Sequence, residues 1–355
     1  MQVLLETREI KSNAIKFLAP IVIILLALTA AACPLLWMRV NPLAAYTSII
    51  SGSCGDIYGI SETLVKAVPL MLCGLAVAFP LTANRWNLGA EGQFIMGAFG
   101  ASAVALSMPQ LPGMILLPLM LIGGFAAGAF WGWIPGILNV RFNISEIIVS
   151  LMMNYIAVNW VSYLVYGPMR DRHAYSNFPF SPKFVQHAWL PRIIQGTRLH
   201  LGIVFAVLAA IILYVIIQKT RFGYEIRMVG ANPRSARYGG IDTAKLVVLT
   251  MAAAGGIAAL AGVGEVAALH HQLRRDIAVG YGYTAIPVAM LGKGHPLGIL
   301  VSSLVFAALL VGGSNMQQDF GVPVALVSII QALIVLFVVA GETLQKYRIR
   351  IVRGS

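Results

Sequence analysis

Gly230-Ala-Asn-Pro-Arg-Ser-Ala-Arg-Tyr-Gly-Gly-Ile-Asp242 lies between two strongly apolar runs, 199–217 and 246–269, at the centre of the chain's longest basic interruption. Its reading decides the fold. Locally it spells a helix of little more than one turn. Asn232 caps the first amides, and Pro233 suits the first helical position, where no donor is needed. Arg234 to Tyr238 form the turn, and Gly239 and Gly240 permit the left-handed backbone that ends it. Two readings stand at this point: a short helix with a partner to push against, or an ordinary solvated loop between spans.

The flanking runs belong to a chain that is apolar throughout. Of 355 residues 59% are hydrophobic and only 11% charged, more apolar surface than a soluble chain can hide, which predicts an all-α, polytopic integral membrane protein. The formal charge of +12 is scattered between apolar runs, so it orients spans rather than binding nucleic acid. The first run, 17–36, is long and has no small-residue cleavage site, so it reads as a span rather than a cleavable signal. Cys33, Cys54 and Cys73 have no metal-ligand spacing.

The pattern predicts about ten transmembrane helices, at 17–36, 62–82, 88–107, 112–138, 144–166, 199–218, 246–269, 281–291, 297–313 and 323–341. The Ser- and Gly-rich stretch after the first reads as a loop through Gly59. Gly123, Gly124, Gly128, Gly132 and Gly136 let the fourth approach its neighbours closely. The eighth is about 16 Å long as a helix, too short to cross about 30 Å of hydrocarbon, and reads as a short or half-membrane helix broken by Gly292-Lys-Gly-His-Pro296. With ten spans and both termini cytoplasmic, 16 of the 25 Lys and Arg fall inside and 8 outside, with Lys66 in a span. That places 219–245 in the cytoplasm and the Pro-rich segment 167–198 outside.

Catalytic signatures are missing. There is no P-loop, no His-Glu-x-x-His and no Gly-x-Ser-x-Gly. His270-His271 is the nearest approach to a metal site, but adjacent helical residues point about 100° apart and no carboxylate set accompanies them, so no metal is expected. Lys66, Glu91, Glu146 and Glu265 lie within spans, where ions face a bundle interior or water. They form no relay in the sequence, and Glu91 and Glu146 also suit a structural role near helix N-termini. In the fifth span, Ser150 and Asn154 share a helical face, with Asn159 and Trp160 farther along. Amide and aromatic groups suit a hydroxylated or heterocyclic solute, and equally suit hydrogen bonding between helices.

Four stretches carry a resemblance: Asn87-Leu-Gly-Ala-Glu-Gly-Gln93 with Phe94-Ile-Met-Gly-Ala98, Asn143-Ile-Ser-Glu-Ile-Ile-Val-Ser-Leu-Met-Met-Asn-Tyr155, Gly230 to Ile241, and Gly282-Tyr-Thr-Ala-Ile-Pro-Val-Ala-Met-Leu-Gly-Lys-Gly-His-Pro-Leu-Gly298. In order and spacing, over about 80–300, they resemble the permease subunits of nucleoside and simple-sugar importers of the ABC superfamily, in the branched-chain amino acid/ribose permease group. Lys293 departs from the smaller or neutral residue of many relatives.

The resemblance implies a single transmembrane domain over 1–355 in the bacterial cytoplasmic (inner) membrane, and a non-catalytic role. It implies a cytoplasmic ABC ATPase that holds ATP and Mg, with no cofactor on this chain. It also implies an extracytoplasmic substrate-binding protein and a paralogous second permease, a heterodimer being favoured over a homodimer, in contact with membrane lipid. Purine nucleosides lead as solute, ahead of simple sugars and then branched-chain amino acids. An ion-coupled secondary transporter and a membrane scaffold are the readings from other classes. Asn232, Pro233, Arg234, Arg237, Tyr238 and Gly239 become the ATPase-coupling helix. Glu91, Gln93, Ser150, Asn154, Asn159 and Trp160 become candidates for the translocation pathway.

Overall fold

A computed structural model describes residues 2–7, 13–171, 178–277 and 279–352. Residues 172–177 of the segment 167–198, and Arg8, Lys11, Arg172 and Arg353 of the charge count, lie outside the described residues. The chain folds as two compact units, one formed by its two ends, up to Gly59 and from Ala308, and one by Ile60–Ala307.

The helices in order are α1 (Asn13–Trp37), α2 (Pro42–Cys54), α3 (Ile57–Leu81), α4 (Ala90–Ser107), α5 (Gly113–Phe142), α6 (Glu146–Tyr166) and α7 (Gly202–Lys219). There follow α8 (Arg221–Ala231), α9 (Pro233–Tyr238), α10 (Thr243–Gly264), α11 (Tyr281–Leu291), α12 (Pro296–Phe320) and α13 (Val324–Lys346). Each expected span is helical. Among the described residues six helices are long and apolar enough to cross a membrane, or up to seven if the pair Leu25–Trp37 and Pro42–Cys54, bent by 111°, is one span. The chain is therefore a multi-pass helical membrane protein. Its extended pairings, among the described residues, are an antiparallel ribbon of β1 (Gln2–Thr7) with β2 (Tyr347–Val352) and two isolated bridges.

The loop expected through Gly59 is instead largely α2. Asn41 accepts from the Leu43 amide at 3.0 Å and Pro42 takes the first helical position. Two of the serines that read as loop, Ser48 and Ser53, turn inward along the helix, Ser53 Oγ donating to the Ile49 carbonyl at 2.8 Å. Ser48 Oγ reaches Asp319 Oδ2 at 2.5 Å, and Gly52 leaves room for the Asn315 side chain. Ala27, Ala31, Leu35, Ala45, Met316 and Ile330 form the apolar core of this unit.

In the second unit α4, α5 and α10 pack backbone to backbone. Cβ atoms at Gly97, Gly128 and Gly132 would run into Ala259, Gly255 and Met251 of α10, and one at Gly100 would lie 2.6 Å from the Gly123 carbonyl of α5. The glycines at every fourth position of α5 thus set the interhelical distance.

The helix α7 starts at Gly202, three residues later than the span expected from 199, and ahead of it Arg192 pairs with His200 in a short bridge. His200 is buried, and its Nδ1 accepts from the Gly202 amide at 3.1 Å. Burial, and then the charge of Arg198, push its pKa down from 6.5 to about 4. The neutral ring is the one that fits. A histidine with a depressed folded pKa contributes full stability above its ordinary value, and that stability is lost as pH falls from 6.5 toward 4. Protection of Gly202 and its neighbours against hydrogen exchange, corrected for the pH dependence of intrinsic exchange, is expected to fall across that window, by at most about tenfold per pH unit, and His200→Gln to flatten the dependence. Protection factors that stay flat between those pH values in the wild type would contradict it.

Candidate functional site

The segment Asn87–Gln93 enters α4 as a tight polar turn. Asn87 and Gln93 pair reciprocally through their amides, at 2.9 and 3.0 Å, and Asn87 Nδ2 donates to the Ala76 carbonyl of α3 at 3.2 Å. The turn therefore folds back against α3. Asn154 of α6 fastens it from the other side. Its Oδ1 accepts from the Gly92 amide at 2.8 Å, its Nδ2 donates to the Leu88 carbonyl at 2.9 Å, and the Tyr283 hydroxyl lies 3.4 Å away. Ser150, fully buried, donates to the Ile147 carbonyl of its own helix at 3.1 Å and sits where Gly89 leaves space. Glu146, in the first turn of α6, accepts from Asn139 at 2.8 Å and lies 3.7 Å from Arg85.

Glu91 holds the start of α11. Its two carboxylate oxygens accept from the Gly280 amide at 2.9 Å and the Gly282 amide at 2.6 Å. A helix start exposes orphan amides and the positive end of its dipole, and a buried carboxylate answers both. Gly280 supplies the left-handed backbone, at φ +86°, that turns the chain into the helix. At Gly282 a Cβ would fall on the backbone of Glu91. Gly282→Ala is accordingly expected to destabilise the protein by about 1–3 kcal/mol, the range for forcing a methyl into a filled site. Gly239→Ala, where φ is −75° and the nearest atom to a Cβ is 3.3 Å away, is expected to be near neutral. Thermal unfolding of the two variants in detergent provides the comparison; equal midpoints would remove the claim of close approach.

The sequence singled out four residues here that are almost wholly enclosed: Glu91, Gln93, Ser150 and Asn154. Asn159 and Trp160 lie on the open face of α6. They share it with Tyr155, Tyr163 and Tyr166, each more than half exposed, and Asn159 Nδ2 donates to the Tyr155 carbonyl at 2.8 Å. The Trp160 ring lies 6.1 Å from Tyr163 and meets Phe99 edge-on at 6.2 Å. The Tyr166 hydroxyl accepts from Arg275 at 3.2 Å. The tyrosines were not singled out from the sequence, although Tyr155 and Tyr163 lie four residues either side of Asn159 and Tyr166 seven beyond it, the spacing of one helical face. Tyr283, also partly exposed, adds a hydroxyl from α11.

At the far end of the unit, α9 is the short helix that opened the reading. Asn232 Oδ1 accepts from the Arg234 amide at 3.0 Å and the Ser235 amide at 3.2 Å, and Pro233 takes the first position. The left-handed residue is Gly240 alone, at φ +81°. Gly239, at φ −75°, still follows the helix, so the expectation of a left-handed conformation at both glycines is corrected to one. The preceding segment, unassigned from sequence, is α8: Thr220 caps it by accepting from the Gly223 amide at 3.1 Å, while Ile226 and Val229 bury its apolar side. A Cβ at Gly230 would strike the Thr82 carbonyl, which seats α8 on the turn between α3 and α4. Ala236 is buried beneath α9, and the Arg237 guanidinium donates to Thr243 Oγ1 at 3.2 and 3.3 Å. Arg234 and Tyr238 project freely, Tyr238 at 95% exposure. Among the described residues no group of three or more His, Cys, Asp or Glu side chains has the arrangement of a metal site. The His271 ring instead stacks on Trp189 at 3.9 Å.

Comparison with known proteins assigns the fold to a family. The family described as branched-chain amino acid transport system / permease component matches residues 59–339, and the chain belongs to it. It is 39% identical to the glucose ABC transporter permease protein TsgB13 of Haloferax volcanii, over 94% of this chain and 89% of that one. It is 36% identical to the guanosine ABC transporter permease protein NupP of Bacillus subtilis, over 95% of this chain and 96% of that one. With the nucleoside ABC transporter permease protein NupB of Lactococcus lactis the identity is 30%, over 91% and 90%. The likeness noted on the four sequence stretches thus extends over nearly the whole chain.

Proposed function

We propose that the chain is the transmembrane permease subunit of an ATP-driven importer that carries a nucleoside, a purine nucleoside first, or a simple sugar, across the bacterial cytoplasmic membrane. The observation that carries this reading is the open face of α6. Tyrosine hydroxyls and an asparagine amide facing hydrocarbon would lose hydrogen bonds that water or a polar partner supplies. A face bearing Tyr155, Asn159, Trp160 and Tyr163 is suited instead to a path shared with a second permease, where rings stack on a base or sugar and the amide meets its hydroxyls. Glu91, Gln93, Ser150 and Asn154 shape that path from behind by fixing α4, α6 and α11. The relatives include permeases named for guanosine, nucleosides and glucose, ligands that share a hydroxylated ring.

In this arrangement the ten spans leave both termini and α9 in the cytoplasm. A separate ABC ATPase binds ATP and Mg, and this chain, itself non-catalytic, holds neither. The ATPase grips α9 through Asn232, Pro233, Arg234, Arg237, Tyr238 and Gly239. A paralogous permease completes the path, and a substrate-binding protein docks on the outer segment around 167–198. An ion-coupled carrier is the second reading, favoured by the presence of Lys66 and Glu265 within spans. Reconstitution with the ATPase, the second permease and the binding protein separates them. ATP-dependent accumulation of labelled guanosine or glucose is expected. Uptake that continues without the ATPase and collapses with the proton gradient would favour the carrier.

A further inference from the structure

Ionisable side chains that are far apart in the sequence converge on the first residue of α11. Lys66 Nζ of α3 donates to the Tyr281 hydroxyl at 2.9 Å and lies 5.6 Å from the centre of its ring. The Glu265 carboxylate stands beside the Tyr281 hydroxyl, within its electrostatic reach. Glu265 opens the π-helical turn Glu265–His270 that ends α10, and its Oε2 lies 3.6 Å from His270 Nε2. The order of donors is unambiguous. An ammonium only donates, a carboxylate only accepts, and the phenol between them does both. Tyr281 and Glu265 are each at least 95% buried.

We infer that Lys66, Tyr281 and Glu265 form a positioning latch that sets where the N-terminus of α11 sits within the membrane. The inference rests on the transport reading for its purpose, since α11 borders the proposed path, but not for its geometry. Two grips act on the same turn. Glu91 holds the amides of Gly280 and Gly282, and the latch holds the side chain between them, tying it to α3 and to the end of α10. A lone lysine or glutamate is costly in hydrocarbon, so the pair stays closed until water or a polar solute reaches it. The π-turn, a geometry common at functional sites, places Glu265 where α10 gives way to the surface. From there contacts continue outward, with His270 Nδ1 3.4 Å from Arg274 and the Arg274 guanidinium 4.5 Å from the centre of the Phe180 ring.

The test uses the full chain in membranes with a reporter beside the latch. Val279, 63% exposed, is replaced by Cys after the exposed Cys33 and Cys54 are changed to Ser; Cys73 is buried and stays. Labelling of Val279→Cys by a maleimide is followed in the inserted fraction. Tyr281→Phe, which removes only the hydroxyl, and Lys66→Met are each expected to raise the rate about tenfold, the equivalent of one hydrogen bond to a charged group. The reversed pair, Lys66→Glu with Glu265→Lys, is expected to bring it back to within about twofold, because the phenol serves either polarity. A merely structural role would lower the amount of inserted protein without changing the rate for the protein that inserts. Unchanged rates in Tyr281→Phe and Lys66→Met would overturn the latch, as would a raised rate that the reversed pair does not restore. The measurement needs no ATPase. A wild-type complex that shows no ATP-driven uptake would refute the transport reading and leave the labelling result standing.

Discussion

Glu91→Gln is expected to lower uptake roughly 100-fold per inserted complex, while leaving the chain in the membrane. The carboxylate accepts two amides of the α11 start, each a charge-assisted bond worth about 1.5–3 kcal/mol. Glutamine has nearly the same shape but keeps one acceptor, and turns an NH₂ donor toward the other amide. Losing about 3 kcal/mol at the point that fixes the start of α11 corresponds to roughly two orders of magnitude. Glu91→Asp is expected to recover part of the loss, because it retains two acceptors on a shorter arm. The assay is ATP-driven uptake normalised to inserted protein. Near-normal uptake by Glu91→Gln would show that the α11 amides do not depend on the carboxylate.

Tyr238→Ala and Arg237→Glu are expected to uncouple the complex, with ATP hydrolysis continuing and uptake lost. Tyr238 is 95% exposed, so its truncation leaves the fold within about 0.5 kcal/mol. At an interface, the loss of a central tyrosine costs about 2 kcal/mol or more, roughly a 30-fold weaker grip. Arg237→Glu reverses a charge and also releases Thr243, which loosens α9 from α10. Tyr238→Ala is therefore the cleaner of the two. The measurements are uptake and ATPase activity on the same proteoliposomes, with expression as control. Normal uptake by both variants at wild-type amounts would remove α9 as the coupling point.

How much of this was legible in the sequence follows from the reach of each signal. The ends of α9 are local: Asn232, Pro233 and the glycines are adjacent, and the cap formed as read, apart from the conformation of Gly239. The short helix at 281–291 was legible because length alone limits what a helix can cross. The helix α2 was not. Ser51 and Ser53 satisfy themselves on carbonyls one turn back, and composition does not distinguish that from a polar loop. The partners of Glu91 and of Lys66 were out of reach, since the first pair is separated by about 190 positions and the second by 215. Only packing brings them together. The tyrosines of α6 carried a readable spacing but no chemical oddity until their exposure set them apart from the surrounding aliphatic surface.

The glycine seam between α4, α5 and α10 has a mechanical consequence. Where backbones touch directly there are no flexible side chains to absorb a shear, and such contacts shift between discrete arrangements rather than yielding gradually. On the proposed transport function, those three helices would be the fixed frame of the unit. Displacement would fall to parts whose position is also set by a few polar bonds, above all the start of α11, which is packed through Ala285, Val288 and Ala289 and fastened at Gly280, Tyr281 and Gly282. The stroke of this subunit would be short, hinged and governed by hydrogen bonds.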